Sequence, residues 1–380
     1  MYPLNKSLEW SLNHAMKIRL NFYEATLKLN PHCNYRYNVE LTIKNEFQSM
    51  DLYYVAACQV DQKNPLNRDE MHRNTQRMLE LMEQAVNGYK PFHDIKLIVF
   101  PEFAHAVPVY ESAEEILEKL AVPIPNEHTD KIAEKAKALG VYVQTGSFLE
   151  VDERWPDRVF NTTCLISPEG EILSKYRKVN PWIPFEVHSS PHDIENYPDD
   201  PLPVVETEIG NLAVATCYDW MFPEVTRELT LKGAEVLIRI SAYMDPWGAT
   251  QPMDWWTVIN RCRAIENMSY VVAANQGAKD YPPFTWPGGS MVVDYDGRIL
   301  AEASPGPGER IVVAPINIAA LRSERKRRAG HSMPTHLRTE LYQAQKQPIY
   351  PKHSPAQDIN YDSLSSSIAK AQSVSPFIKK

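Results

Sequence analysis

Glycine is scarce in this chain, at 14 of 380 residues, about half of the roughly 7% usual in globular proteins. That excludes a glycine-rich repeat or linker protein. A basic excess is also missing. Forty Lys and Arg against 48 Asp and Glu leave a net charge of −8, with a pI near 5.8. Binding to a phosphate backbone needs the opposite sign, so no nucleic-acid partner is expected. The chain holds no run of about 18 apolar residues, so no membrane-spanning helix is expected. Nor does its N-terminal stretch carry the continuous apolar segment of a secretory signal. The five cysteines, Cys33, Cys58, Cys164, Cys217 and Cys262, are an odd set without Cys-x-x-Cys spacing. A disulfide framework or a zinc ribbon is thereby disfavoured. The expectation is a protein of the reducing cytoplasm in which one thiol matters more than the others.

What is present in quantity is proline, 30 residues, together with 43% hydrophobic and 10% aromatic residues. Such a chain has material for a full core and needs no staples. Residues 1–51 are polar and irregular, with a short helical patch over Leu8–Leu27, and are expected to form an N-terminal extension. From Leu52 the pattern becomes regular. Short apolar runs predict strands at 52–60, 95–100, 141–149, 160–167, 171–179, 212–216, 236–240, 270–275 and 310–316, with a hairpin over 291–303. Apolar residues at helical spacing predict helices over 68–89, 127–139 (N-cap Asn126, closed by Gly140), 224–233 and 253–266. Strands alternating with helices, plus hairpins, imply an α/β layered domain with antiparallel pairs in its sheets. The tail over 345–380, rich in proline and serine, is expected to be extended or to lie at an oligomer interface.

Three stretches put a reactive side chain at or just beyond a predicted strand, where loops carry function on a rigid scaffold. In Phe100-Pro101-Glu102-Phe103 a carboxylate sits between apolar neighbours. Desolvation there would raise its pKa toward that of a useful general base. In Lys175 to Glu186, Pro181 and Pro184 stiffen a loop that would hold Lys178 and Glu186 at a fixed separation, with Trp182 lining a small pocket. In Ala215 to Glu224, Cys217 falls between a strand and a helix start. Backbone N–H groups of such a turn can lower a thiol's pKa. Taken singly, each has an ordinary reading: a surface glutamate, a basic strand edge, an inert core cysteine. Together they suffice for acyl transfer from an amide. The thiolate is the nucleophile, the ammonium stabilises thiolate and oxyanion, and the carboxylate moves protons to the leaving amine and from water.

The ordered motifs Phe-Pro-Glu, Lys-Tyr-Arg-Lys and Cys-Tyr-Asp-x-x-Phe-Pro-Glu resemble those of the nitrilase, or carbon–nitrogen hydrolase, superfamily. The likeness runs from about Leu52 to about Ala344. It implies a four-layer α-β-β-α sandwich over 52–344, catalytic Glu102, Lys178 and Cys217, and no cofactor. The segment Arg177 to Glu186 is similar to the aliphatic amidase and formamidase branch, in which a second glutamate stands eight positions after the lysine, as Glu186 does here. In that branch it orients the substrate amide. Phe103 and Trp182 would be pocket walls favouring a short acyl group, and Tyr218 would offer its N–H to the oxyanion. Gly233 to Arg239, Val272 to Asn275 and Gly289 to Met291 agree with the same branch. The Tyr218-Asp219-Trp220 stretch departs from the amidase pattern and looks more like ω-amidases and carbamoyl hydrolases.

The expected function is therefore hydrolysis of a short-chain carboxamide to carboxylate and ammonia through a cysteine thioester, in a homo-oligomer. The alternatives are hydrolysis of an N-carbamoyl amine or a nitrile, or a catalytically silent scaffold of the same fold. His188, His192, His331 and His336 lack a completing Cys or carboxylate pattern, so no metal is expected. The basic run Arg325 to Arg328 is expected to be a solvated helix face or subunit contact.

Overall fold

A computed structural model describes residues 52–346, apart from 111, 183–185, 246–247, 279–285 and 305. The expected N-terminal extension, the Leu8–Leu27 helical patch, Cys33 and the tail beyond 346 lie outside the described residues. In chain order the elements are β1 (Leu52–Gln59), α1 (Arg68–Asn87), β2 (Ile95–Val99), α2 (Ala113–Lys119), α3 (Glu127–Leu139), β3 (Tyr142–Asp152), β4 (Trp155–Ile166) and β5 (Ile172–Arg177). The second half holds β6 (Val204–Thr207), β7 (Gly210–Thr216), a 3₁₀ turn (Cys217–Met221), α4 (Pro223–Leu231), β8 (Val236–Ser241), α5 (Trp255–Asn267) and β9 (Tyr270–Asn275). It closes with β10 (Met291–Val293), β11 (Ile299–Glu302), β12 (Arg310–Asn317) and α6 (Ile318–Arg327).

The strands form two six-stranded sheets, ordered β12-β1-β2-β3-β4-β5 and β11-β10-β9-β8-β7-β6. Side-chain alternation explains their stacking. Tyr53, Val55 and Ala57 of β1, with Leu97 and Val99 of β2, share one apolar cluster with Leu212, Val214, Ile238 and Val272 of the other sheet. The intervening Ala56, Cys58 and Ile98 turn the other way and meet Met78, Leu81 and Met82 of α1 and Ile132 and Ala136 of α3. A strand buried on both faces reads as a continuous apolar run, as β1 does. Each fully buried Leu or Met contributes about 2 kcal/mol, so the apolar strip of α1 fixes that helix to the sheet. Two sheets between helical layers are the α-β-β-α sandwich.

Local signals agree with these boundaries. Asn126 caps α3 by accepting from the N–H groups of His128 and Thr129, and Gly140 ends it with φ +67°. Three elements escaped the sequence reading: α2, which has one buried residue, the partly exposed edge strand β6, and the full extent of α6. The basic run in α6 is a brace within the chain. Arg325 donates to the carbonyls of Met268 and Ala234 and to Ser269 Oγ, while Arg327 and Arg328 pair with Glu324.

The C-terminal ends of β2, β5, β7 and β8 converge. Gln276, just past β9 in the second sheet, donates through Nε2 to the Glu102 carbonyl at 2.8 Å, tying the two sheets together at that point.

Candidate active site

The loop after β2 holds Glu102 by an unusual backbone. Phe103 has φ +57°, a region that costs a non-glycine residue about 1 kcal/mol or more. Its N–H donates to Ser147 Oγ at 2.8 Å, which holds the turn. Gly146 lies at an irregularity of β3 with φ +72°, and a Cβ there would stand 2.5 Å from the Pro101 carbonyl oxygen. Only glycine lets the Glu102 loop come this close. The Glu102 carboxylate is buried. Its Oε1 accepts from Asn161 Nδ2 and Lys178 Nζ, both at 2.8 Å, and its Oε2 from the Ala242 N–H at 2.9 Å.

Lys178 follows β5 directly. Arg177 turns to the opposite face, where it meets Glu150 at 2.7 Å and Asp152 at 2.5 Å over the Phe160 ring. That buried network fixes the end of β5 and so the backbone of Lys178. The Lys178 ammonium lies between two carboxylates, 2.8 Å from Glu102 Oε1 and 2.6 Å from Glu186 Oε1. Glu186 Oε2 accepts from the Trp182 N–H at 2.5 Å, so the eight-residue spacing closes a loop onto the lysine. Burial opposes the Lys178 charge, but the two carboxylates outweigh it and hold its pKa well above the usual lysine range. The carboxylates diverge: burial raises Glu102, whereas Lys178 and its hydrogen-bond donors outweigh burial and lower Glu186.

Cys217 follows β7 directly, with φ +47°, and opens the 3₁₀ turn. The expected lowering of its pKa is not found. Burial and the negative charge of Glu102 push the thiol up to about 12, and Lys178, Ser241 and Arg239 offset this only in part. The turn is five residues of 3₁₀ helix, too short to supply a strong helix-end field. A thiol held this high stays protonated near neutral pH.

One residue that sequence reasoning did not assign sets Cys217 against Lys178. Asp219 is fully buried; its Oδ2 accepts from the Tyr176 hydroxyl at 2.6 Å and the Thr216 N–H at 3.0 Å, and its Oδ1 from Asn180 N–H and Nδ2 at 2.8 and 3.0 Å. Tyr176 and Asn180 flank Lys178 by two residues on either side, as Asp219 follows Cys217 by two. The carboxylate therefore clamps the two turns together. Asp219→Ala leaves four donors unpaired, at about 1 kcal/mol or more each. The variant should lose about 4 kcal/mol of stability by denaturant titration and at least about tenfold in kcat. A stability and rate within error of wild type would refute the clamp. Asn161, the Ala242 N–H and Gln276 were also missed, because their contacts join distant parts of the chain. Asp219 was visible only as a departure from a motif.

Cys217 opens onto a cavity of about 120 Å³ lined by Trp182, Tyr218, Met221, Ala242, Tyr243, Met244 and Trp255. Trp182 and Tyr218 thus stand on its wall. Phe103 is not among the lining residues; its ring is buried, 6.0 Å from that of His188. Of the other thiols, Cys58 and Cys164 are buried and Cys262 is exposed. Among the described residues one group has the spacing of metal ligands: His72, Glu127 and His128. Lys131 Nζ is 3.2 Å from His72 Nδ1 and 3.7 Å from Glu127, so an ammonium already occupies that group's surroundings. His188, His192, His331 and His336 form no such group.

This α-β-β-α fold carries a buried Glu–Lys–Glu set beside a cysteine, and comparison with known proteins places it among the hydrolases. The sequence model of the carbon-nitrogen hydrolase family matches residues 54–326. A formamidase of Bacillus cereus is 34% identical over 253 residues, covering 66% of this chain and 69% of that protein. Among solved structures, Saccharomyces cerevisiae Nit3, of branch 10 of the nitrilase superfamily, superposes with a TM-score of 0.61 at 26% identity, over 72% of this chain and 93% of that one. A carbon-nitrogen hydrolase from Helicobacter pylori, at 21% identity, shares the fold with a TM-score of 0.62 over 79% of this chain and 100% of that one. The chain belongs to the carbon–nitrogen hydrolase family and is an enzyme acting on non-peptide carbon–nitrogen bonds.

Proposed function

We propose that the protein hydrolyses a short-chain carboxamide to its carboxylate and ammonia through a thioester on Cys217. The observation that carries this reading is the Lys178 ammonium lodged between Glu102 and Glu186, beside a thiol that faces a cavity of about 120 Å³. A cavity of that size with aromatic and methionine walls suits an acyl group of a few heavy atoms. As the sulfur attacks the amide carbonyl, Glu102 takes the thiol proton. The oxyanion forms near Lys178 Nζ and the Tyr218 N–H, whose field stabilises it. Glu102 then passes the proton to the departing nitrogen, and ammonia leaves. Water attacks the thioester with Glu102 again as base, Glu102 returns that proton to the departing sulfur to restore the thiol, and the acid leaves as its carboxylate. Glu186 orients the amide and holds Lys178 charged throughout. The formamidase relative supports a small acyl group. The Tyr218–Asp219 pair, which had suggested a carbamoyl hydrolase, has an internal explanation in the Asp219 clamp. The working form is read as a cytoplasmic homo-oligomer with its hydrolase domain over 52–344.

The test is ammonia release from formamide, acetamide, propionamide, ω-amides, carbamoyl amines and nitriles. Small aliphatic amides should be turned over fastest, with an acyl adduct on Cys217 seen by intact mass. Cys217→Ala should retain the fold and lose at least about 10³-fold in turnover, since the nucleophile cannot be replaced by its partners. Turnover by that variant at the wild-type rate would overturn the assignment. Carbon dioxide released together with ammonia would favour the carbamoyl reading, and no adduct with any substrate the silent scaffold.

A further inference from the structure

Arg239 has no place in the chemistry above, and its surroundings are unusual. It lies in β8 with none of its surface exposed. Nη1 donates to Asn260 Oδ1 at 2.8 Å, but Nε and Nη2 are buried without a hydrogen-bond partner. No carboxylate pairs with it among the described residues. Aromatic rings enclose the guanidinium instead: Trp256 at 4.3 Å, Trp220 and Tyr243 each at 5.4 Å from ring centre to Cζ. A buried cation without a counter-ion is costly, and the link to Asn260 asks only for a neutral donor. A charge kept under these conditions should act on a neighbouring charge.

The neighbour is the reacting sulfur. β7 and β8 run parallel, with Ala215 opposite Arg239 and Thr216 opposite Ile240, so Cys217 follows at the next position. Trp220 belongs to the same 3₁₀ turn as Cys217, and Tyr243 shares the cavity wall with it. Among the described residues, the charge of Glu102 disfavours a negative sulfur at Cys217, and those of Lys178 and Arg239 favour it. Arg263, behind Trp220, and Glu102 also face Arg239.

We propose that Arg239 is a positioning residue that stabilises the negative charge arising on Cys217, acting from behind the nucleophile turn while Lys178 acts from the front. The aromatic enclosure keeps water from screening it. This inference rests on Cys217 being the reacting thiol.

The test is the rate of Cys217 alkylation by iodoacetamide between pH 7 and 9.5. It is followed by peptide mapping, so that exposed Cys262 does not contribute. Raising a thiol's pKa by one unit cuts its thiolate tenfold below the pKa, while added nucleophilicity returns about threefold. Arg239→Gln, which can still donate to Asn260, should therefore alkylate about threefold or more slowly across the range. Arg239→Lys keeps the charge without the planar stack and should stay near the wild-type rate. Asn260→Ala removes the structural link alone and should also stay near it. Equal rates for R239Q and wild type would overturn the role. So would R239K or N260A slowing as much as R239Q; should R239Q fail to fold, either of these slowing about threefold or more against wild type overturns the role, and both at the wild-type rate uphold it. The assignment of the nucleophile is tested separately: turnover retained in Cys217→Ala removes that reading, whereas an unchanged R239Q profile removes only this one.

Discussion

Lys178→Met is expected to reduce kcat/KM by about 10³-fold or more, and to do so with a pH-dependent loss of stability. Among the described residues, the Lys178 ammonium is the one cation within bonding distance of both Glu102 and Glu186. Methionine matches its length and leaves two buried carboxylates facing each other. Breaking a buried ion pair by removing one partner costs about 3–5 kcal/mol when the remaining charge persists. Here the carboxylates can escape by binding a proton, so their folded-state pKa values rise above those of the unfolded chain. A group raised in this way favours the folded state at low pH and loses that contribution as pH rises through its folded pKa. The stability deficit of the variant should accordingly be small near pH 4 and grow toward pH 8. In the wild type, the Lys178 pKa is itself raised, so its contribution is complete below the ordinary lysine value and is lost only in strong alkali. Thermal unfolding of both proteins from pH 4 to 9, with ammonia release at each pH, checks both parts. Turnover within tenfold of wild type would remove Lys178 from the chemistry. A deficit that does not grow with pH would contradict the buried carboxylate pair.

Much of this arrangement is legible in the sequence. The strands buried on both faces, such as Leu52–Gln59 and Tyr270–Asn275, announced themselves as apolar runs, and Asn126 and Gly140 marked both ends of α3. The Glu102 and Cys217 segments are legible because each places a polar group at the end of such a run, whereas Lys178 follows a polar, partly exposed strand and is legible through its motif and its eight-residue spacing to Glu186. What stayed hidden depends on contacts between segments far apart in sequence. The Glu102–Ala242 bond spans 140 positions and the Gln276–Glu102 bond 174; no local pattern encodes either. The thiol's pKa failed for a related reason. A strand-to-helix turn favours a thiolate, but the effect of burial and of a carboxylate brought in from another strand is larger. Phe103 lies off the described cavity, since adjacency to Glu102 does not say which way a ring turns, and with φ at +57° it packs against His188.

Glu102→Gln should lower turnover by about 10³-fold while making Cys217 more reactive toward an alkylating agent. The first effect follows from losing the base that takes the thiol proton, which a carboxamide cannot do. The second follows from charge. Glu102 raises the thiol's pKa, and removing its negative charge leaves Lys178 and Arg239 unopposed. Glutamine also cannot reproduce the hydrogen bonds. Asn161 and Lys178 both donate to Oε1 and Ala242 donates to Oε2, so either orientation of the amide sets an N–H group against a donor. A modest fall in melting temperature is therefore expected, but general damage to the site would slow both reactions. Opposite signs would not arise from misfolding. In the wild type, kcat/KM should fall as pH drops through an apparent pKa above the ordinary glutamate value of about 4.5. That pKa belongs to the linked Glu102–Lys178–Glu186 set and not to one residue. The variant should lack this limb. Iodoacetamide rates at pH 7–9 and pH profiles of kcat/KM, measured on both proteins, test the idea. A variant that hydrolyses and alkylates more slowly in parallel would show Glu102 to be a structural brace, and the proton of Cys217 would then have to leave by another path.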